Sequence, residues 1–429
     1  MLDTRFITEI RLTIDSKSIF RIGNDENDIL IDDYTGLPII PASTFAGLFR
    51  SFLTENHNSS GIVDEMFGSC KDEGRKSRIF FYDAYAKRYE KNKNYEHRTR
   101  TSIDAEKGVA KNPINTAYLS EHMSFEVGIR IESNSADKEE KYRELICYCI
   151  NALHHGYLRI GADKTNGAGL FAVADTKYAI YDTHDKNQLR DYLLRKEAEK
   201  ELNFSTYDIK NKFSVIEAKD VSIESPLLIK GNGKKTGDSD DISIKNIGGK
   251  YIIPGSSIKG IIRNRCGQIA EYLGIGDDII VDMFGSNHEA SHAGTITFAD
   301  AYVEEVKEKK YSGIHIDKLT GGVIKSGLYN RKPITGRTSI KVIYSNSYNT
   351  ENKDVKMAIL LLALRDFFTG KISIGSGFAD GFGRVSAESL FIQDFDKEFC
   401  LSFDQHIDEA DVYLEALRAY IGGVDEKDN

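Results

Sequence analysis

The sequence predicts an α+β protein made of two tandem copies of one β-α-β-β-α-β unit, each carrying a long insertion. Three observations support this fold class. Short motifs recur in the same order at a nearly constant offset, each half opens on an alternating strand, and each half closes on a glycine-rich loop that enters a strand. The chain has 429 residues, 40% of them hydrophobic, which is enough to bury two cores.

The internal repeat is the strongest of these observations. Every recurrence falls at an offset between 213 and 217 residues, and the small drifts are those expected from loop insertions. The recurring segments are 36–43 and 249–256, 66–69 and 283–286, 83–85 and 300–302, 103–109 and 316–323, and 160–169 and 374–383.

Within each half the predicted elements follow one order. An alternating strand comes first, a helix begins after a proline, two strands flank a polar excursion, and a second helix precedes the glycine-rich loop. This order is that of a ferredoxin-like (RRM-like) fold, which hosts many functions, so function must be argued from sites. The predicted strands are 6–14, 79–82 and 124–131 with 213–217, 295–298 and 339–344, and the helices are 43–53 and 138–155 with 256–273 and 354–369.

These elements predict two domains and a linker. The first domain covers 1–184, a helical linker rich in Lys, Arg and Glu covers 185–203, and the second domain covers 204–429 with a C-terminal helix at about 404–421. Each domain also carries a long polar excursion, which is interpreted as an inserted hairpin.

The composition bears on nucleic-acid binding, on membrane contact and on the state of the cysteines. The formal net charge of −9 argues against nucleic-acid binding through the whole surface, but it allows a basic groove on an acidic body. RNA binding by such a groove would weaken steeply with salt. No run approaches the roughly 18 apolar residues of a membrane span, so we expect a cytoplasmic protein that does not contact membrane. Five cysteines without a CxxC pair, which we expect to be reduced and buried, are Cys70, Cys147, Cys149, Cys266 and Cys400.

The start of the first helix in each half has the chemistry of a phosphate site. Ser256 and Ser257 are expected to cap the second of these helices, whose first amides favour an anion. Lys259 and Arg263 are four residues apart and share a helix face. Ser43, as a cap, and Arg50 are the weaker counterparts in the first half. An ordinary capped helix with solvated charges remains the alternative.

Two glycine-rich loops, 161–169 and 375–384, offer consecutive amides and close backbone approach to a phosphate chain. Neither is a P-loop, because the pattern GxxxxGK[ST] is absent, and neither fits a dinucleotide fingerprint, because each leads into a strand rather than a helix. A plain tight turn remains the alternative. The candidate RNA contacts in these loops are Gly161, Lys164, Gly167, Gly375, Gly377, Gly381 and Arg384.

The hairpin excursions carry basic side chains and small apolar ones. Val109, Val323 and Ile324 could wedge between stacked bases, and arginine suits single-stranded RNA. A surface loop without such a role is the alternative. The candidate RNA contacts on the excursions are Arg98, Arg100, Lys111, Lys325 and Arg331.

Acidic residues cluster at 25–33 and 238–241, and carboxylates grouped in a loop can hold Mg²⁺ at a phosphodiester. Solvated loop acids are the alternative. The segment 288–292 formally matches HExxH, but no helix fits there, so we expect neither a zinc protease nor structural zinc. His154, at a predicted helix end, is interpreted as a partner of the helix dipole.

Taken together, the Ile-Pro-Gly-Ser-Ser-Ile-Lys-Gly helix start at 253–260, the Phe-Gly turns, the basic hairpins and the terminal glycine-rich loops resemble the RAMP superfamily of CRISPR-associated proteins. The resemblance covers both halves and is nearest to Csm-like backbone subunits of type III effector complexes. With its two fused copies, the chain is similar to the double-RAMP backbone subunits of type III-D-like systems.

The resemblance implies a fold, a function and partners. Such subunits line up along a CRISPR RNA, grip it with the first helix and the glycine-rich loop, and splay the guide–target duplex with a thumb hairpin. The implied thumbs of this chain are at about 88–122 and 303–337. The implied partners are CRISPR RNA, complementary target RNA, a large polymerase-like subunit, further RAMP subunits and small subunits.

In active members a loop aspartate, with Mg²⁺ or another divalent cation, supports target RNA cleavage. The nearest matches are Asn27 or Asp28 and Asp240 or Asp241, and we assign catalysis and metal binding to Asp28 and Asp240. The alternatives are a non-catalytic capping subunit and a metal-independent repeat-processing endoribonuclease, for which His57 is the candidate acid–base residue.

Overall fold

The computed structural model describes residues 4–23, 29–56, 60–69, 74–103, 110–196, 200–205, 213–231, 241–286, 292–345, 352–394, 397–404 and 408–425. The chain forms two compact units. Unit 1 comprises Met1–Glu96, Ala117–Lys164 and Ala168–Lys212, and unit 2 comprises His97–Thr116, Thr165–Gly167 and Phe213–Asn429. Unit 2 therefore includes the hairpin of the first repeat and three residues of its glycine-rich loop.

The first repeat contains, in chain order, β1 (Phe6–Ser16), β2 (Ile39–Ile40), α1 (Ala42–Asn56), α2 (Ser60–Phe67), β3 (Ile79–Phe81), β4 (Ala84–Tyr85), α3 (Lys91–Asn94), β5 (Tyr95–Ile103), β6 (Ala110–Leu119), β7 (Ser124–Ser133), α4 (Ala136–His154), β8 (Phe171–Asp182), α5 (Lys186–Leu193) and β9 (Lys200–Glu201).

The second repeat contains β10 (Phe213–Ile223), β11 (Asp241–Ile242), β12 (Ile252–Ile253), α6 (Gly255–Tyr272), α7 (Asp277–Phe284), β13 (Gly285–Ser286), β14 (His292–Ala293), β15 (Ile296–Phe298), β16 (Ala301–Tyr302), β17 (Glu304–Glu308), β18 (Tyr311–Ile316), β19 (Val323–Lys332), β20 (Ile334–Ser345), α8 (Lys353–Phe368), β21 (Val385–Ser386), β22 (Ser389–Asp394), β23 (Lys397–Ser402) and α9 (Asp408–Asp425).

Unit 1 is built on an antiparallel sheet with strand order β3-β7-β1-β8-β9. The central strand β1 pairs Phe6 with Ser133 of β7 on one side and with Asp182 of β8 on the other. Its alternating Ile10, Leu12 and Ile14 are buried, as expected for a strand with one face on the core.

Helix α1 covers this sheet with an aromatic face. Phe45, Phe49 and Phe52 recur at helical spacing and are buried. Phe49 packs edge-on against Phe81 of β3, and Phe52 stacks on Tyr148 of α4. The core of unit 1 therefore lies between the sheet and α1 and α4.

Unit 2 repeats this plan with the sheet order β15-β20-β10-β22-β23. Ile258, Ile262 and Cys266, at four-residue spacing, place one face of α6 in the core. Helix α8 is buried on most sides because α9 packs against it, with Tyr413 and Leu417 buried in the same core. An apolar run in α8 therefore has no solvent-facing stripe.

The two sheets are antiparallel and lie in a mixed α+β chain, as the sequence predicts. In the described part of the predicted helical linker, Lys186–Leu193 is helical, and the strand β9 that follows pairs with β8. Asp185 begins this helix, since its carboxylate accepts the backbone N–H groups of Asn187 and Gln188.

Two further expectations concern burial. Cys147, Cys149 and Cys266 are buried and free, as predicted, but Cys400 is exposed on the edge strand β23, and Cys70 lies outside the described residues. Among the helices that the structure describes, none is both long and apolar enough to cross a membrane.

Candidate nucleic-acid interface

The first helix of each repeat is capped by an aspartate from a distant part of the chain. Asp300, just after β15, accepts the backbone N–H of Gly255 at 2.8 Å, and Asp83, just after β3, accepts that of Ala42 at 2.7 Å. A carboxylate at a helix N-terminus satisfies a free amide and complements the helix dipole.

This arrangement corrects the predicted caps. Helix α6 begins at Gly255, directly after Pro254, and a proline side chain has no hydrogen-bonding atom. Because the helix begins there, Ser256 and Ser257 lie inside its first turn and do not cap it. Helix α1 begins at Ala42, which places Ser43 inside its first turn as well. The prediction that serines cap these helices is wrong, because a capping residue precedes the first helical residue and each helix already includes its serines.

Arg98, a predicted RNA contact on the first hairpin, forms an ion pair with Asp300 at 2.7 Å within unit 2. The side chains are only 10% and 5% exposed. Asp300 therefore holds both the start of α6 and the hairpin strand β5. A pair this well buried is costly to break from one side, since the remaining charge would stay unsolvated.

The tip of the first glycine-rich loop lies against the same helix start. Lys259 of α6 donates from Nζ to Oγ1 of Thr165 at 2.8 Å. Gly167 packs so closely that a Cβ there would lie 2.9 Å from the backbone N of Asp300 and from the carbonyl oxygen of Phe298. Two predicted residues, Arg98 and Gly167, thus meet at Asp300, and a third, Lys259, binds Thr165 of the same loop.

Most other glycines of the two loops approach the protein's own backbone. Gly161 lies against the carbonyl of Arg21, and a Cβ at Gly375 would lie 2.6 Å from the carbonyl oxygen of Leu228. Gly377 faces the ring of Phe382, whereas Gly381 has open space around it. All four have positive φ, which explains why glycine occupies these turns.

The other predicted cations differ in their surroundings. Arg50 pairs with Asp64 at 3.0 Å, and Arg331 pairs with Asp380 at 2.6 Å and lies over the ring of Tyr329. Arg100 is half-buried, and the side chain of Lys111 lies outside the described part. Exposed residues at the loops, α6 and the second hairpin are Lys164, Arg263, Lys325 and Arg384.

The predicted catalytic aspartates, Asp28 and Asp240, lie outside the described residues. Of their acidic neighbours, Asp32 accepts both the N–H and the hydroxyl of Thr35, and these bonds hold the pKa of the Asp32 carboxyl below its usual range. Asp241 pairs with Lys230 at 2.9 Å. Within the described ranges, no group of three or more His, Cys, Asp or Glu residues could hold a metal ion.

Of the HExxH match at 288–292, the structure describes His292, which lies in a strand. Helix α7 ends at Phe284, and His292 lies in β14, which pairs with β13. Residues 287–291 are outside the described part. His154 accepts the N–H of Val173 at Nδ1, 3.2 Å away, so its ring is held by the backbone of β8.

Sequence reasoning missed two features. The Asp-Ala-Tyr repeat was visible at 83–85 and 300–302, but only the structure shows that its aspartates cap helices. The second hairpin is also more apolar on its surface than Val323 and Ile324 alone indicate. Its exposed apolar side chains are Ile314, Ile316, Leu319, Val323, Ile324 and Leu328.

Comparisons with known proteins agree with the repeat. The sequence model of the RAMP superfamily matches residues 13–172 and again residues 185–386. A protein named CRISPR system Cms endoribonuclease Csm3 from Streptococcus thermophilus is 26% identical over 211 residues, which are 43% of this chain and 95% of the relative. A protein of the same name from Methanocaldococcus jannaschii is 26% identical over 196 residues, or 40% of this chain and 77% of the relative.

Among solved structures, a chain of the Type III-B Cmr-beta complex bound to cognate target RNA resembles this protein with a TM-score of 0.33 and 20% identity. The match covers 41% of this chain and 61% of the solved chain.

Proposed function

Because the chain belongs to the RAMP superfamily, we propose that it binds RNA as a backbone subunit of a type III CRISPR effector complex. The observation that carries this proposal is the double family match. The Streptococcus relative is about as long as one repeat, since 43% of this chain covers 95% of it. One chain would therefore supply two successive RNA-binding units.

The strand orders support the finer fold assignment. Numbering the four main strands of each unit along the chain, both sheets read second, third, first, fourth, and the four strands of each sheet are antiparallel. We assign both units to the ferredoxin-like class on this basis. Additional strands at the sheet edges and the two hairpins are then insertions into that class.

The RNA contacts are proposed to come from exposed cations and backbone amides. Lys164, Arg263, Lys325 and Arg384 are exposed and belong to loops, a helix face and a hairpin that recur in the repeat. Contacts with phosphates release counterions, so affinity would fall steeply with salt even though the whole chain is acidic. Arg98 and Lys259, engaged by Asp300 and Thr165, would hold the hairpin and loop in place for these contacts.

Target cleavage is the finer part of the proposal. Asp28 and Asp240 would supply carboxylate oxygens to a divalent cation, which stabilises charge developing at a phosphodiester. Asp32 accepts a hydrogen bond from Thr35, and Asp241 forms an ion pair with Lys230. We therefore assign neither of them a role in cleavage. The partners would be a guide RNA, its complementary target and the other subunits of the complex.

The experiment compares Asp28→Ala and Asp240→Ala with Asp32→Ala and Asp241→Ala as neighbouring controls. Each variant is assembled with guide RNA and its partner subunits, and cleavage of complementary RNA is followed. We expect Asp28→Ala and Asp240→Ala each to remove one cut, with guide binding retained, and EDTA to remove both. Unchanged cutting in both variants would identify a purely structural subunit, and EDTA-resistant cutting of repeat RNA would identify a repeat-processing enzyme.

A further inference from the structure

Three cations converge on one buried aspartate where α6 packs against the end of α8. Arg265 donates to Oδ2 of the buried Asp366 from Nε at 2.8 Å and from Nη2 at 2.6 Å. Arg365 and Lys371 donate to its Oδ1 at 3.4 Å and 3.1 Å. Burial raises the pKa of Asp366, but the hydrogen bonds from Arg265 and Lys371 outweigh it, so its pKa lies below the usual value. The group at the centre of the cluster is therefore a carboxylate.

The positive charge of this cluster exceeds what the helix end needs. Asp366 carries one negative charge, and the last turn of a helix adds the equivalent of about half a negative charge. Three cations therefore leave positive charge in excess. The carbonyl oxygens of Arg365 and Asp366 accept the backbone N–H groups of Thr369 and Lys371, so the end of α8 is satisfied without a cationic cap.

The first repeat packs its corresponding helices through aromatic rings. At offsets of 213 and 214, Phe52 and Ala152 stand where the second repeat has Arg265 and Asp366. Phe52 is buried and stacks on Tyr148 of α4. This helix pair therefore packs in unit 1 without the ion cluster. Because the two repeats differ here, the cluster does not belong to the RNA contacts that they would share.

The cluster holds its cations in place while each stays partly exposed. The side chains of Arg265, Arg365 and Lys371 are 32%, 46% and 56% exposed. Arg265 also donates from Nη1 to Gln268 at 3.0 Å, which fixes the plane of its guanidinium group. An anion that binds here would meet side chains that have already lost much of their rotamer freedom. Guanidinium groups bind phosphate oxygens in pairs, and a lysine adds a point charge.

We propose that Arg265, Arg365 and Lys371 form a binding site for one phosphate group, carried by RNA or by a free nucleotide. All three cations lie within 3.4 Å of one carboxylate, and this compact grouping suits a single phosphate rather than a broad protein surface. The inference goes beyond the proposed guide binding, because it concerns a surface that the two repeats do not share.

The test is isothermal titration calorimetry of the nuclease-treated, RNA-free full chain with pyrophosphate at low salt. Arg365→Gln and Lys371→Gln should each weaken binding about tenfold, because each removes one charged donor. Both variants keep Arg265 paired with Asp366, and circular dichroism checks that they are folded. Lys397→Gln, on the exposed edge of β23, removes the same charge and should bind as the parent chain does.

A second set of titrations identifies the source of the phosphate. Short RNA oligonucleotides with and without a terminal phosphate are compared with ATP. A loss confined to the oligonucleotides assigns the phosphate to RNA, and a loss confined to ATP assigns it to a free nucleotide.

Two results would overturn the proposal. One is a parent chain that does not bind pyrophosphate, and the other is equal binding by Arg365→Gln, Lys371→Gln and Lys397→Gln. Neither result bears on the guide, since RNA copurifying with the chain is measured separately. Failure of this site and failure of the proposed function are therefore distinguishable.

Discussion

At the scale of single residues, Asp83 and Asp300 cap the first helix of their repeats in the same way but lie in different surroundings. Each accepts the first amide of its helix, but Asp300 also neutralises a buried arginine, whereas Asp83 is exposed. The free energy that each contributes should therefore differ, because a surface cap contributes about 1 kcal/mol and a broken buried ion pair costs about 3–5 kcal/mol.

Asp300→Ala is predicted to lower the free energy of unfolding by about 3–5 kcal/mol and Asp83→Ala by about 1 kcal/mol. The difference arises because Arg98 would remain buried without its carboxylate. Urea unfolding followed by circular dichroism measures both values. Asp300→Asn, which keeps an acceptor for Gly255 but loses the charge, should fall between them. Equal losses for the two alanine variants would contradict the role assigned to the pair.

A buried polar cluster joins four elements of unit 2, namely β10, α8, β22 and α9. Asp394 at the end of β22 accepts from Lys353 at 2.7 Å, from Tyr413 at 2.6 Å and from Ser214. Burial raises the pKa of Asp394, but these hydrogen bonds and the Lys353 charge outweigh it, so its pKa lies below the usual value. The carboxylate is therefore the form that the fold requires.

Asp394→Asn is predicted to cost about 3–5 kcal/mol at pH 7, because Lys353 would lose its buried partner. A carboxyl with a lowered pKa stabilises the fold above its unfolded pKa and loses that effect as pH falls through the folded value. The gap between parent and variant should thus begin to narrow below about pH 4, the unfolded value, and narrow further as pH falls toward the folded pKa. Thermal unfolding from pH 3 to pH 7 checks this, and a gap independent of pH would contradict it.

At the scale of elements, the glycine-rich loops show how one turn is used twice. Gly167 and Gly381 share a positive φ, but only Gly167 is packed against backbone. A side chain at either position strains the turn by about 1 kcal/mol, and at Gly167 it also collides with the Asp300 backbone.

Gly167→Ala is therefore predicted to destabilise the protein more than Gly381→Ala does, by an additional 1–3 kcal/mol or so. Thermal unfolding at low protein concentration compares the two. Because the strain at φ is common to both, Gly381→Ala is the matched control. Equal destabilisation would show that the close packing of loop 165–167 contributes nothing to stability.

The second hairpin carries its apolar side chains outward. Leu319, at the turn between β18 and β19, is 96% exposed. Under the proposed function, Leu319→Glu should change the free energy of unfolding by less than about 0.5 kcal/mol and weaken guide–target binding about tenfold. Leu193→Glu, on the exposed face of α5, is the control. RNA binding by the assembled complex measures the effect, and equal binding by both variants would contradict a role for the hairpin tip.

At the scale of the whole molecule, the periodicity and the internal repeat of the sequence predicted the features that depend on neighbouring residues, namely the strands and the long helices. The strands and the long helices lie within a few residues of the predicted ones because alternation, helical spacing and prolines determine them. Capping by Asp83 and Asp300 was not predictable, since it depends on residues distant in the chain. Nor could periodicity show that Arg98 and Lys259 meet partners from another repeat, because tertiary packing alone brings them together.

The net charge of the chain could be read from composition alone, whereas the positions of its exposed cations could not. A net charge of −9 coexists with exposed cations at the recurring loops. The composition excluded a uniformly basic protein, while the placement of Lys164 and Arg384 on matching loops required the repeat to be recognised.

The most direct measurement is the sequence of the RNA that copurifies with the chain and its neighbouring subunits from cells. The account predicts RNAs of defined length that carry repeat-derived ends and spacer sequences, bound at low salt and released at high salt. Preparations that contain no RNA, or only random fragments of cellular RNA, would contradict it.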